Sequence, residues 1–373
     1  MSKRTFPLRD AVANYTPYSP GLSIDEIRER YGLENVIKLA SNENPLGTSP
    51  LVLKRLASAA RSAFRYAQSG NPRLAAALAT QLGVGPEHIV TGNGSDEIID
   101  LLIRTVPTPG RHNIVAADPC FSIYRLQSRL CDVEFRKVPL NPDFSYNWQA
   151  MRAAVDENTA LVFLTTPDNP SGHCPTRAEL VAFLQSLPSA CLLVADEAYV
   201  DFCEENSPFG SILPEFSRFS NLVVMRTFSK SAGLAGLRLG YGVMPVALAE
   251  VLRAVKLPFS VNILAEEAGL AVLNDTDFLE KTLETVRLGR KFLARELALL
   301  GCVVFPSQAN FLMFTPPAGA LSATEIFQAL LSKGVIIRPL ASYGMPGNLR
   351  VSMGTAKENA FFIDRLREIL AHA

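Results

Sequence analysis

The sequence predicts an α/β protein, with a mainly parallel central sheet in a large domain and a smaller α+β domain beside it. Three observations carry this. Four near-continuous apolar runs, NIVAADPCF, ALVFLTTPDNPSG, CLLVADEAY and NLVVMRTFSK, alternate with helical periodicities, the pattern of strands buried on both faces. Each run ends in a loop of polar residues or glycine, where the ligands of such sheets gather. A chain of 373 residues also has room for two bodies of about 150 residues each.

The first 45 residues hold two Pro/Gly/Asn-rich stretches, NYTPYSPG and SNENPLGTSP, on either side of a short charged helix expected over Ser23 to Tyr31. An arm so poor in apolar periodicity is expected to lie over something, with Tyr15 and Tyr18 either packing there or reaching a pocket. Helices are expected over 50–65 and 72–82, and HIVTGNGSDEIIDLLIRTV reads as a short strand, a glycine turn and a helix. The four apolar runs follow, joined by helical or irregular connections near 123–130, 177–187 and 209–217. Helical patterns continue from Met244 to about Leu300. GCVVFPSQANFLMF, a helix near 323–333, GVIIRPL, NLRVSMG and a terminal helix near 357–371 then complete the smaller unit. The expected division is an N-terminal arm at 1–45, which joins the small domain, a large domain at 46–270 and a small domain at 271–373.

Composition removes several classes of function. At 48% hydrophobic and 19% charged residues the chain is globular, and it lacks the run of about 18 apolar residues that spans a bilayer. Its 36 basic residues balance 36 acidic ones, so extended nucleic-acid binding has no electrostatic footprint. Six cysteines without a CxxC pair and four scattered histidines give no metal-ligand spacing and fit a reducing compartment. The start, MSKRTFPLRD, has no apolar signal core, so the expected location is the cytoplasm.

The densest chemistry lies in RTFSKSAGLAGLRLG at 226–240. Thr227, Ser229, Lys230 and Arg238 follow directly on a strand, and Gly233, Gly236 and Gly240 leave the backbone free to approach a ligand. In GNGSDE, Ser95 and Asp96 stand at a turn before an apolar helix, whose first N–H groups suit a phosphate. Neither stretch has dinucleotide or P-loop spacing. Together they describe a small phosphate cradle beside Lys230, a candidate amine nucleophile.

Asp196 ends another strand. It is either a helix cap or a carboxylate kept ionised by a cation such as a protonated pyridine nitrogen. Asn169 is held between prolines in PDNPSG, where a rigid turn fixes an amide for hydrogen bonding. Phe121 is either core or a ring stacked on a flat cofactor. Arg338 and Arg350 interrupt late apolar strands, and their planar forks match carboxylate or phosphate groups.

In register along the chain, SNENPLG, GNGSDEII, PCFSIY, TPDNPSG, DEAYVDF, RTFSKSAGLAGLRLGYG, QANFLMF, GVIIRPLASYG and LRVSMGTAKEN resemble the aspartate aminotransferase-like superfamily, and within its class-II aminotransferases the histidinol-phosphate aminotransferase family. The resemblance implies the type I fold of pyridoxal 5'-phosphate enzymes, a homodimer with shared sites to which the arm contributes, and no metal. The implied reaction is transamination of L-histidinol phosphate with 2-oxoglutarate, in histidine biosynthesis. An aromatic amino acid aminotransferase is the alternative, and L-threonine-O-phosphate decarboxylase is a neighbour.

On this resemblance Lys230 would bind the coenzyme aldehyde and shuttle the proton, Asp196 would pair with the pyridine nitrogen, Asn169 and Tyr199 would hydrogen-bond the ring oxygen, and Phe121 would stack on the ring. Ser95, Asp96, Thr227, Ser229 and Arg238 would hold the coenzyme phosphate, with Tyr66 reaching in from the second subunit. Arg350 would take the α-carboxylate of glutamate, and Arg338 and Tyr18 the phosphate of histidinol phosphate. Asp168 and Ser171 replace the more usual asparagine and threonine, Phe121 a tyrosine, and Ala232 an aromatic residue. The proline usual after Tyr66 is also missing from RYAQSG.

Overall fold

The structure is a computed structural model that describes residues 8–13, 15, 21–319 and 321–371; Tyr18 lies outside them. A seven-stranded sheet organises residues 89–243. Its strands are β1 (Ile89–Gly92), β2 (Asn113–Asp118), β3 (Glu134–Pro139), β4 (Thr159–Thr165), β5 (Leu192–Asp196), β6 (Leu222–Thr227) and β7 (Gly240–Val243), in spatial order β1-β7-β6-β5-β4-β2-β3. β7 runs antiparallel to both β1 and β6, and the remaining pairs are parallel. The type I architecture expected from the sequence is therefore present.

The period-two alternation of a strand explains why these runs are apolar throughout. Val162, Leu164, Leu193, Ala195 and Val224 enter one buried cluster, while Leu161, Phe163, Val194, Val223 and Met225 enter another on the opposite face. With helices over both faces, nothing in β4 is exposed.

Two strands stood outside the four expected runs and the short strand before GNGSDE. β3 (EFRKVP) is an edge strand with charged, half-exposed positions, so it carries no continuous apolar signal. β7 reads GYGV, a poor strand by propensity. Its glycines are required by close packing: a Cβ at Gly240 would lie 2.4 Å from the Ser95 nitrogen.

Several helices match their expected spans because their ends carry explicit signals. Ser23 closes a capping box onto the helix Ile24–Tyr31, and the helix Pro72–Leu82 opens on proline and stops at Gly83 in the left-handed region. The helix expected over 50–65 ends at Ala59 and continues as a single 3₁₀ turn, Ala60–Ser62.

A smaller antiparallel sheet has the order β10-β11-β9-β8, from β8 (Val303–Val304), β9 (Phe311–Thr315), β10 (Arg338–Pro339) and β11 (Leu349–Ser352). Helices Thr276–Leu299 and Ala356–Ala371 share its core through Val286, Leu293, Phe362 and Leu366. The start of the chain packs here too. Ile27, Val36 and Ala40 cluster with Leu331 and Ile336, and Ile37–Lys38 pairs parallel with Val335–Ile336. The segment 41–47 is thereby carried across the carboxyl ends of the large sheet.

Candidate active site

At those carboxyl ends lies a cavity of about 230 Å³, walled by β4, β5, β6 and the segment near Ser41. It brings together Ser95, Asp96, Phe121, Asn169, Asp196, Tyr199, Thr227, Ser229, Lys230 and Arg238, which are far apart in sequence.

Asp196 ends β5 and is buried. Its carboxylate accepts hydrogen bonds from the Tyr124 hydroxyl (2.6 Å) and the Ala198 N–H (3.1 Å). Burial raises its pKa to about 6 in spite of these bonds, and Asp96 and Glu197 push it the same way. Among the described residues it has no ion-pair partner.

Lys230 lies three residues beyond the end of β6. Its amine donates to the Ser41 carbonyl (3.2 Å) and lies 5.6 Å from the centre of the Tyr199 ring. Burial, then the guanidinium of Arg350, lowers its pKa to about 8.

Opposite stands the start of helix α1 (Ser95–Thr105). Arg238, in a left-handed conformation (φ 56°), donates to Asp96 (3.0 Å) and Ser229 (3.4 Å). A Cβ at Gly94 would meet the Arg238 guanidinium at 2.4 Å, so only glycine lets the arginine close over the helix start. Free N–H groups of a first turn, a guanidinium and the hydroxyls of Thr227 and Ser229 form an anion cradle.

A second network binds Asn169 to the small sheet. The Tyr199 hydroxyl accepts from the side-chain amides of Asn42 (3.1 Å) and Asn169 (3.5 Å), while the Asn169 carbonyl accepts from Arg350. Arg350 also donates to the Ala40 carbonyl (3.1 Å) and lies over the Phe311 ring, 4.9 Å from its centre. Its Nε is buried without a partner. Arg338 sits directly across the β10–β11 ladder from Arg350, and both are buried. Like charges facing each other in a ladder repel, so this place favours an anion.

Of the sequence-predicted residues, Arg338 and Arg350 do not line the cavity, Arg350 joining it through its bond to Asn169, and two more stand apart from it or outside the described chain. Tyr66 is 81% exposed and stacks on Phe259 at 4.7 Å, away from the cavity of its own chain. Tyr18 lies outside the described residues. Phe121 lines the cavity and meets Tyr124 edge-on at 5.7 Å.

The sequence reading passed over Asn42 and Tyr124. Asn42 was visible only as part of the polar stretch SNENPLG. It is buried in a left-handed conformation, bonded to Tyr199, to Ser352 and to Asn310. Tyr124 gave no signal, because a tyrosine on an amphipathic helix reads as core until its hydroxyl is seen to reach Asp196 and Thr165 (2.8 Å).

Residues 34–366 match the family model for aminotransferase class I and II. The chain is 60% identical over 366 residues to the histidinol-phosphate aminotransferase of Nitratidesulfovibrio vulgaris, covering 98% of this chain and 97% of that one. It is 57% identical over 364 residues to the histidinol-phosphate aminotransferase of Oleidesulfovibrio alaskensis, covering 97% and 95%. Among solved structures, histidinol-phosphate aminotransferase from Sinorhizobium meliloti in complex with pyridoxal-5'-phosphate has a TM-score of 0.88 to it at 27% identity, covering 100% of this chain and 98% of that one.

Proposed function

The chain belongs to the class I and II aminotransferase family, and from that premise we propose that it is a pyridoxal-phosphate-dependent transaminase of L-histidine biosynthesis. It moves the amino group of L-histidinol phosphate to 2-oxoglutarate, giving imidazole acetol phosphate and L-glutamate. The observation that carries this reading is a buried carboxylate, Asp196, without a cation, in one cavity with an amine of lowered pKa and an anion cradle. A flat ring with a protonatable nitrogen at one end, a phosphate at the other and an aldehyde between them answers all three. The residues present therefore fit the coenzyme.

When bound, pyridoxal phosphate supplies the electron sink for bond breaking at the substrate Cα. The roles of the residues follow from their chemistry. Asp196 would hold a proton on the ring nitrogen, and Tyr124 orients Asp196 through its hydroxyl. Asn169 and Tyr199 offer hydrogen bonds to the ring oxygen, and Phe121 offers its face to the ring. Ser95, the first-turn N–H of Asp96, Thr227, Ser229 and Arg238 would hold the phosphate, with Tyr66 supplied by the second subunit of a homodimer.

Lys230 would hold the coenzyme at its aldehyde, and its amine would take and return the substrate Cα proton. With a pKa of about 8 roughly a quarter of it is free amine at pH ~7.5, against about 0.1% for an ordinary lysine. Arg350 takes the α-carboxylate, and its bond to Asn169 links that event to the ring oxygen. Arg338 and Tyr18 take the distal anion.

We assign residues 46–270 to the coenzyme-binding domain and the arm plus 271–373 to the small domain. The proposed location is the cytoplasm; among the described residues no helix is long and apolar enough to cross a membrane.

Borohydride reduction of the purified protein followed by peptide mapping tests the reading. A visible absorbance band that bleaches on reduction, with the label on the peptide holding Lys230, is expected. Turnover must then be faster with histidinol phosphate than with phenylalanine, tyrosine or phosphothreonine. A label elsewhere, or preference for phenylalanine, sinks the assignment.

A further inference from the structure

Cys174 and Cys203 stand beyond the carboxyl ends of two neighbouring strands. Cys174 follows the turn after β4, and Cys203 follows the 3₁₀ turn Val200–Phe202 after β5. Their sulfurs lie 3.8 Å apart, and either S–H can donate to the other. Cys174 is buried, and its sulfur also meets the Thr166 hydroxyl and the Pro175 carbonyl, each at 3.5 Å. Cys203 is half-buried, so solvent reaches the pair from its side.

The surrounding fold holds the two sulfurs together. Gln308 straps both loops: its N–H donates to the Gly172 carbonyl (2.9 Å), and its side-chain oxygen accepts from the Glu204 N–H (2.9 Å). The bond between the sulfurs lowers the pKa of Cys174 and raises that of Cys203, so the pair gives up one proton readily and holds the other between them. Glu197 opposes ionisation of both thiols, and Arg290, which donates to the Phe202 carbonyl (3.1 Å), favours it at Cys203. Burial raises the pKa of each of the other four cysteines. Thiolate character and access decide which cysteines oxidise, and this pair has both.

We propose that Cys174 and Cys203 are a site of reversible oxidation, at which hydrogen peroxide converts two adjacent thiols into one intrachain disulfide. The Cys203 sulfur attacks a peroxide oxygen as the O–O bond breaks. The hydroxide released leaves with the thiol proton as water, and Cys203 becomes a sulfenic acid. The Cys174 sulfur then attacks the Cys203 sulfur, the S–O bond breaks, and hydroxide leaves with the Cys174 proton as a second water. Two electrons pass from the thiols to the peroxide. Small-molecule thiols of a reducing compartment restore the pair by exchange.

Forming the bond draws the sulfurs from 3.8 Å to about 2.05 Å. Cys174 is five residues beyond Asn169 and Cys203 four beyond Tyr199, the two residues assigned to the ring oxygen, whose own bond is already long at 3.5 Å. Such a shift misplaces these donors, so the oxidised protein is expected to transaminate about tenfold more slowly. That consequence rests on the proposed function, whereas the cross-link does not.

Purified protein with added pyridoxal phosphate is treated with a few equivalents of hydrogen peroxide, quenched with catalase, alkylated and mapped by mass spectrometry without reductant. The expected product joins the Cys174 and Cys203 peptides with the loss of two hydrogens, leaves the other cysteines alkylated and is reversed by dithiothreitol. Turnover is expected to fall about tenfold with the cross-link and to return with dithiothreitol. Cys174→Ser and Cys203→Ser, each active when reduced, are expected to keep their rates through the same treatment, and either serves if the other fails to fold. A pair that stays fully alkylated, a cross-link elsewhere, or sulfinic acid at Cys203 with Cys174 still free overturns the site. A mapped cross-link with undiminished turnover overturns its coupling to Asn169 and Tyr199. A mapped cross-link in protein that shows no transamination even when reduced sinks the proposed function and upholds the oxidation site.

Discussion

Asp168 is a buried carboxylate with one oxygen bonded to the Ser171 hydroxyl (2.5 Å) and N–H (3.1 Å) and the other without a partner. Burial raises its pKa to about 6. The folded chain holds this proton more tightly than the unfolded chain does. Asp168 therefore contributes stability that is fully present below the ordinary aspartate pKa and lost as pH rises through about 6. An asparagine does not titrate. Relative to the parent, the melting temperature of Asp168→Asn is expected to climb between about pH 4 and pH 7, by a few degrees, as scanning calorimetry can measure. Lys230 has the opposite perturbation, since burial lowers the pKa of its cationic form to about 8. The rate at which coenzyme-free protein captures pyridoxal phosphate, followed by absorbance, is expected to rise with pH and to level off above about 8. Lys230→Ala should abolish turnover with the fold retained by circular dichroism. Both residues were legible in the sequence because they sit at or just beyond strand ends. The orphaned oxygen of Asp168 was not, because only the packed turn shows which lone pairs find donors.

Among the elements, the β10–β11 pair decides how the site tells its substrates apart. It sets Arg338 opposite Arg350, so one strand presents each guanidinium. Histidinol phosphate carries a phosphate and no α-carboxylate, whereas glutamate carries two carboxylates. Arg350→Lys loses the bidentate fork and is expected to slow the glutamate half-reaction more than the histidinol phosphate one. Arg338→Ala is expected to slow both, with a loss of about 1.5–3 kcal/mol for the charged contact, and to affect phosphorylated histidinol more than histidinol itself. Single-turnover spectroscopy with each donor reads these effects separately. Equal losses for the two histidinols would remove Arg338 from phosphate recognition. The sequence exposed both arginines, since each breaks an apolar run. It gave no sign that they face one another, because ladder register depends on partners distant in the chain.

For the whole molecule, the issue is the surface around Tyr66. Phe64, Tyr66, Leu257 and Phe259 are all exposed, and the rings of Tyr66 and Phe259 stack, so an apolar patch joins two distant segments. A second subunit that covers this patch would bring Tyr66 to the neighbouring cavity. Tyr66→Ala and Lys230→Ala chains, each inactive or nearly so alone, are expected to regain part of the activity when refolded together, because one hybrid site then has both native residues. Verified heterodimers without activity would count against shared sites. The sequence by itself determined the parallel-sheet class, several helix ends and the residues at the strand ends, because side-chain periodicity, caps and turns are local properties of the chain. Tertiary structure alone decided that Asn42 braces Tyr199, that Tyr124 reaches Asp196, that GYGV is a strand and that Cys174 meets Cys203. Each of these depends on segments far apart in sequence, and their contacts exist only after the sheets have packed.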